Sequence, residues 1–198
     1  MRFPRPCVPV ALLLVVLAAA PAAADEIRDQ IDQAIQMYND GDYAGAASEL
    51  EFAAAQIRQL RAGEISGALP EPLPGWNAED AETAAMGAAF FGGGTSASRR
   101  YTNDEASIEI QITTDSPMMQ SLSMLMSNPM LMRGSGQKLV RVQGHKASLE
   151  WEDDGGELNV VVNGTVLVAV EGSGCTEKDL MAYAEAVDYE KIKQIIGN

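Results

Sequence analysis

Glu157-Leu158-Asn159-Val160-Val161-Val162-Asn163-Gly164-Thr165-Val166-Leu167-Val168-Ala169-Val170-Glu171 decides the fold. Asn163-Gly164 is the strongest short-range hairpin signal, because both residues tolerate positive φ and so match the twist of the strands they join. The flanking runs are rich in β-branched residues and apolar at consecutive positions, which places this hairpin in the centre of a sheet rather than at its edge.

Working outward, the same rhythm recurs. Lys138 to Gln143 and Lys146 to Glu152 read as strands joined at Gly144-His145, and Asp153-Asp154-Gly155-Gly156 links the second of them to the central hairpin. Upstream, Ile108, Ile110 and Ile112 alternate with Glu109, Gln111 and Thr113, giving a strand with one dry and one wet face. Ser96 to Tyr101 pairs with it through a turn at Asn103-Asp104. Downstream, Thr176 with Asp179 opens a helix carrying Leu180, Tyr183, Ala184 and Val187, and a short last helix carries Ile192, Ile195 and Ile196. The expectation is an α+β fold around an antiparallel sheet of about six strands, with helices packed on it.

The N-terminal part has a different period. Ile27, Ile31, Ala34, Ile35 and Tyr38 are spaced three and four apart, and Ala46, Ala47, Leu50, Ala53, Ala54 and Ile57 repeat that spacing after a turn at Asn39-Asp40-Gly41-Asp42. Two such stripes and a tight link predict an antiparallel helical hairpin over residues 25–63. Residues 64–76, with Gly67, Pro70, Pro72, Pro74 and Gly75, read as a linker. Residues 77–198 form the sheet domain, which opens with a small-residue helix from Asn77 to Ala89 capped by Asn77 and stopped at Gly92-Gly93-Gly94.

Residues 1–24 read as an export signal. Arg2 and Arg5 precede an apolar stretch from Val8 to Ala20, and Ala22-Ala23-Ala24 stands before Asp25. The expected location is the periplasm or the medium, with no membrane insertion after cleavage. Removal of this segment leaves 12 basic against 28 acidic residues. A surface of that sign repels phosphate backbones and anionic lipid headgroups, which disfavours nucleic acid as a partner. Cys175 is the one cysteine left after cleavage, so no intramolecular disulfide is expected in spite of the oxidising destination.

Gly41-Asp42-Tyr43 followed by Ala46, Leu50 and Ala53 resembles the turn and second helix of a tetratricopeptide repeat, over residues 31–60. The resemblance implies a helical hairpin that serves as a protein-contact surface. With a single copy it implies no peptide groove and no binding residues. The element order of the remainder is similar to the α+β sandwich of the extrinsic oxygen-evolving proteins of photosystem II, a similarity that implies a fold and no function.

Candidate chemistry is sparse. Ser116 to Met132 holds six methionines, a composition suited to thioether ligation of Cu(I). On a helix over Pro117 to Ser127, Met118, Met119, Leu122, Leu125 and Met126 share one core-facing stripe, so packing accounts for them. Met124, Met130 and Met132 fall outside it and are the candidate metal ligands. His145 is the single histidine, which excludes a multi-imidazole zinc site. In combination with Asp153 or Asp154 and a serine it has the composition of a triad, yet neither Gly134-Ser135-Gly136 nor Gly172-Ser173-Gly174 is a Gly-x-Ser-x-Gly elbow. No phosphate-loop or dinucleotide spacing follows Gly92-Gly93-Gly94. The sequence thus points to an exported, non-enzymatic protein without a cofactor that acts through a protein partner. The alternative is a small-ligand or Cu(I)-binding periplasmic protein using the methionine-rich segment.

Overall fold

A computed structural model describes residues 20–85, 94–114 and 137–197. The chain divides into two compact units, with the boundary between Ala53 and Ala54.

The first unit is a helical hairpin. Helix α1 spans Ala20–Asn39 and α2 spans Tyr43–Ser66, running on past the boundary. Between them Gly41 takes φ 84°, and Asp42 caps α2 by accepting the Gly45 N–H at 2.9 Å through its side chain. Ile27, Ala34, Ala46 and Ala53 are buried. Three of these four are alanines, so the seam is lined chiefly by small side chains. Ile35, Tyr38 and Leu50, which the periodicity places on the facing stripes, are exposed.

The second unit is α+β. An antiparallel sheet runs in the order β1-β3-β4-β8-β7-β6-β5, with β2 also paired to β3. The strands are β1 Asn77–Ala78, β2 Glu82–Ala85, β3 Thr95–Thr102, β4 Ser107–Thr114, β5 Lys138–Val142, β6 His145–Glu152, β7 Gly155–Val162 and β8 Val166–Ser173. Helices α3, Glu177–Ala186, and α4, Tyr189–Ile196, follow. The hairpin with Asn163 (φ 49°) and Gly164 (φ 75°) lies in the middle, as its composition requires.

One face of this sheet is dry. Tyr101, Ile108, Ile110, Ile112, Ala147, Leu149, Leu158, Val160, Val162, Val166, Val168 and Val170 are buried on it and pack with Leu180, Tyr183, Ala184, Tyr189 and Ile192 of the two helices. Thr176 caps α3 in a capping box with Asp179.

The structure departs from the sequence expectation in three places. The expected helix from Asn77 is instead β1 and β2, the two strands beyond the expected six. Alanine by itself favours a helix, and pairing to the open edge of β3 overrides that preference by satisfying edge backbone groups that a helix here would have left bare. The part of that expectation over 86–89, like the helix expected at Pro117 to Ser127, lies outside the described residues. Second, α2 passes through Gly63 to Ser66, and the Pro/Gly stretch is drawn into the core: Ile65, Ala68, Leu69 and Pro70 are buried. Tyr101 donates its hydroxyl to the Pro70 carbonyl at 2.7 Å, Leu73 N–H donates to the Tyr183 hydroxyl at 3.2 Å, and Trp76 meets Tyr183 edge-on at 5.3 Å. The Asp188 N–H and Lys191 Nζ bond the Ala68 and Gly67 carbonyls, both at 3.0 Å. Third, the turn after β5 is Gln143-Gly144, both with positive φ, so His145 is the first residue of β6 and stands opposite Val142.

Candidate interaction surfaces

His145 lies on the dry face, where its ring stacks on Tyr189 at 5.1 Å with a 29° tilt. Burial lowers its pKa, Lys193 lowers it further, and Glu190 opposes them. Asp153 and Asp154 sit in the turn at the other end of β6, and Cys175 follows β8, whose last residue pairs with Gly155 at that same far end. Eight residues of strand separate the two ends by roughly 20 Å or more. The imidazole is therefore out of reach of those carboxylates and of the thiol, and the possible triad on Asp153 or Asp154 is not assembled.

Cys175 is buried and unbridged. Burial raises its thiol pKa and Asp179 adds to the rise, against a backbone hydrogen bond that lowers it, the reverse of what activates a nucleophile. It lines a cleft of about 430 Å³ together with Asn77, Asn103, Asp104, Thr176 and Asp179. Met124, Met130 and Met132 lie outside the described residues. Among the described residues no three His, Cys, Asp or Glu side chains are grouped to hold a metal ion, and no helix is long and apolar enough to cross a membrane.

Two surfaces stand out instead. On the wet face of the sheet the register sets Glu109 opposite Glu171, Glu171 opposite Glu157, and Glu157 opposite Glu150, a row of four glutamates across β4, β8, β7 and β6. Like charges directly opposite each other oppose pairing. Neighbours offset this: at the ends Arg100 binds Glu109 at 2.5 Å and Gln137 donates to Glu150 at 3.0 Å, and within the row Asn159 donates to Glu157 at 2.5 Å. Glu152 and Asp154 extend the acidic surface around a shallow concavity of about 470 Å³.

The second surface is on the helical hairpin. Ile35, Tyr38, Tyr43 and Leu50 are 52%, 63%, 66% and 50% exposed, values that put half or more of each large apolar group in water. At about 100° per residue, Ile31, Ile35 and Tyr38 fall within about 100° of Ala34 on one side of α1. Tyr43, Ala47 and Leu50 fall likewise from Ala46 on α2. Because the helices are antiparallel, these two flanks lie on the same face, and the Tyr38 and Tyr43 rings meet at 5.5 Å across the turn.

No family model matches the chain, and comparison with curated proteins and with solved structures finds no match.

Proposed function

We propose that this is an exported, non-enzymatic protein of the bacterial cell envelope that acts through contact with another protein. The observation that carries the reading is the helical hairpin face of Ile35, Tyr38, Tyr43 and Leu50, where four large apolar side chains lie in water on one short element. Scattered exposed apolar residues are ordinary, but a contiguous set on one face marks an interaction site. Tyrosine suits that role, since its ring supplies contact area and its hydroxyl stays wet. The sequence supports export through the charged start, apolar stretch and alanine-rich end of residues 1–24.

Photo-crosslinking tests it. Tyr38→benzoylphenylalanine in the full chain, expressed in a bacterium that exports it, is expected to give a discrete crosslinked band in the envelope fraction. Intact-mass measurement is expected to show a chain beginning at Asp25. A mature chain that yields no band from this position, nor from Glu157→benzoylphenylalanine on the sheet, removes the support for a protein contact. A chain that stays unprocessed in the cytoplasm refutes the location.

A further inference from the structure

The hairpin face also carries a charge signature, and with the contact reading above as its foundation it defines the partner. Residues 26–53 contain seven acidic side chains, Glu26, Asp29, Asp32, Asp40, Asp42, Glu49 and Glu51, against one basic, Arg28. Asp32 and Glu51 fall on the outer flank of the apolar face on α1 and α2 respectively, about 160° and about 140° from the buried seam by helical spacing. The face is thus an apolar strip, Ile31, Ile35, Tyr38, Tyr43 and Leu50, bordered by carboxylates.

We infer that the hairpin binds a cationic amphipathic segment of another protein, one with apolar residues along one side and Lys or Arg along the other. Apolar side chains fill the strip between α1 and α2, and the flanking cations lie against Asp32 and Glu51. Charge decides among the occupants that an apolar helix face could take. A second copy would set the Asp32 and Glu51 border, on an element of seven acidic residues and one basic, against the same charges, and like-charge juxtaposition works against such a pairing. An acidic partner fails for the same reason, and a purely apolar one leaves the carboxylate border without use. Electrostatic attraction of this kind raises the rate of encounter and fixes the register, while the apolar strip sets how long the complex lasts.

The test uses the mature full chain and synthetic probes. A Leu/Lys peptide with leucines at helical spacing is titrated by calorimetry beside two controls, the same peptide with Glu for Lys and the same peptide with Ser for Leu. Saturable one-to-one binding by the Leu/Lys peptide alone is expected, weakening as salt rises. Ile35→Ser and Leu50→Ser, both on exposed positions, are each expected to weaken it by about tenfold or more with the far-ultraviolet spectrum and melting unchanged. Equal affinity in these variants overturns the inference, and so does loss confined to a Glu157→Gln/Glu171→Gln chain, which would move binding to the sheet. Sedimentation of the free chain as a dimer that Leu50→Ser dissociates also overturns it in favour of a second copy. Crosslinking separates this failure from failure of the contact reading itself. A partner captured at Tyr38 through an acidic or neutral segment refutes the charge argument and leaves the contact intact, whereas absence of capture from both hairpin and sheet sinks both.

Discussion

Tyr101→Phe tests whether the Pro/Gly stretch is held in place by hydroxyl groups. The Tyr101 ring is fully buried and its hydroxyl donates to the Pro70 carbonyl at 2.7 Å. Burial also raises the pKa of that hydroxyl, keeping it protonated and a donor. Phenylalanine fills the same space, so no cavity opens and the effect is confined to the lost bond. The Pro70 carbonyl keeps one other partner, Arg99 Nη1 at 3.3 Å, longer and shared with the Glu79 carbonyl that the same guanidinium bonds at 2.8 Å. A buried acceptor deprived of its better partner costs about 1–3 kcal/mol, and the remaining arginine contact puts this case at about 1–2 kcal/mol. For a chain of this size about 1 kcal/mol moves the melting temperature by about 2–4 °C, so a fall of about 2–8 °C is expected. Guanidinium denaturation followed by tryptophan fluorescence reads it directly, because Trp76 lies in the stretch itself. Tyr183→Phe removes the acceptor of the half-buried Leu73 N–H and is expected to cost less, about 0.5–1 kcal/mol. The two hydroxyls fasten the same short segment, so the double variant should lose less than the sum. A Tyr101→Phe midpoint within about 0.3 kcal/mol of the parent refutes the reasoning, since the stretch would then owe its position to packing alone.

Gly172→Ala places a Cβ 2.5 Å from the Cys175 Sγ and 2.9 Å from Leu180 Cδ1; overpacking of this kind is expected to cost about 1–3 kcal/mol, and Cys175→Ala in the same chain should restore part of it in a denaturation cycle. Lowering the pH from 8 to 5.5 should destabilise the protein through His145: its folded pKa is below the unfolded value near 6.5, so its share of stability is whole above that value and is lost as pH falls through it. His145→Phe, which preserves a ring against Tyr189, should flatten the dependence of the denaturation midpoint over that range, and parallel curves would refute it. The Cys175 thiol, buried and with a raised pKa, should react with a disulfide reagent at neutral pH far more slowly than after unfolding; equal rates would contradict the buried placement.

Much of the sheet was legible because its signals are local. Asn163-Gly164 sits at positive φ as its chemistry demands, Ile108 to Ile112 alternate as written, and Thr176 with Asp179 closes the capping box that their spacing announces. Features set by partners distant in sequence were not legible. The alanines of 82–85 carry no period of their own, and only the edge of β3 makes them a strand. Gly144 marks a turn but not which neighbour shares it: His145 is the expected partner, whereas the turn takes Gln143, a residue with no particular turn propensity. The exposure of Ile35, Tyr38 and Leu50 is not legible either, because periodicity reports which side chains share a face and not how much of that face the partner helix covers. The glutamate row was half accessible: the turns at Asp153-Asp154 and at Asn163 to Thr165 align Glu150, Glu157 and Glu171, but Glu109 joins only through the pairing of β4 with β8, which no turn dictates.

That last pairing governs how the sheet is assembled in time. β5 to β8 are a meander whose neighbours close turns of two or three residues, a step on the order of microseconds for an isolated hairpin. Thr114 of β4 meets Val166 of β8 only after a loop of about fifty residues has been closed, which costs more chain entropy. The meander is thus the expected nucleus, with β8 as the template onto which β4, and β3 behind it, zip late. Substitutions in the central hairpin should slow refolding, while those in β3 should chiefly hasten unfolding.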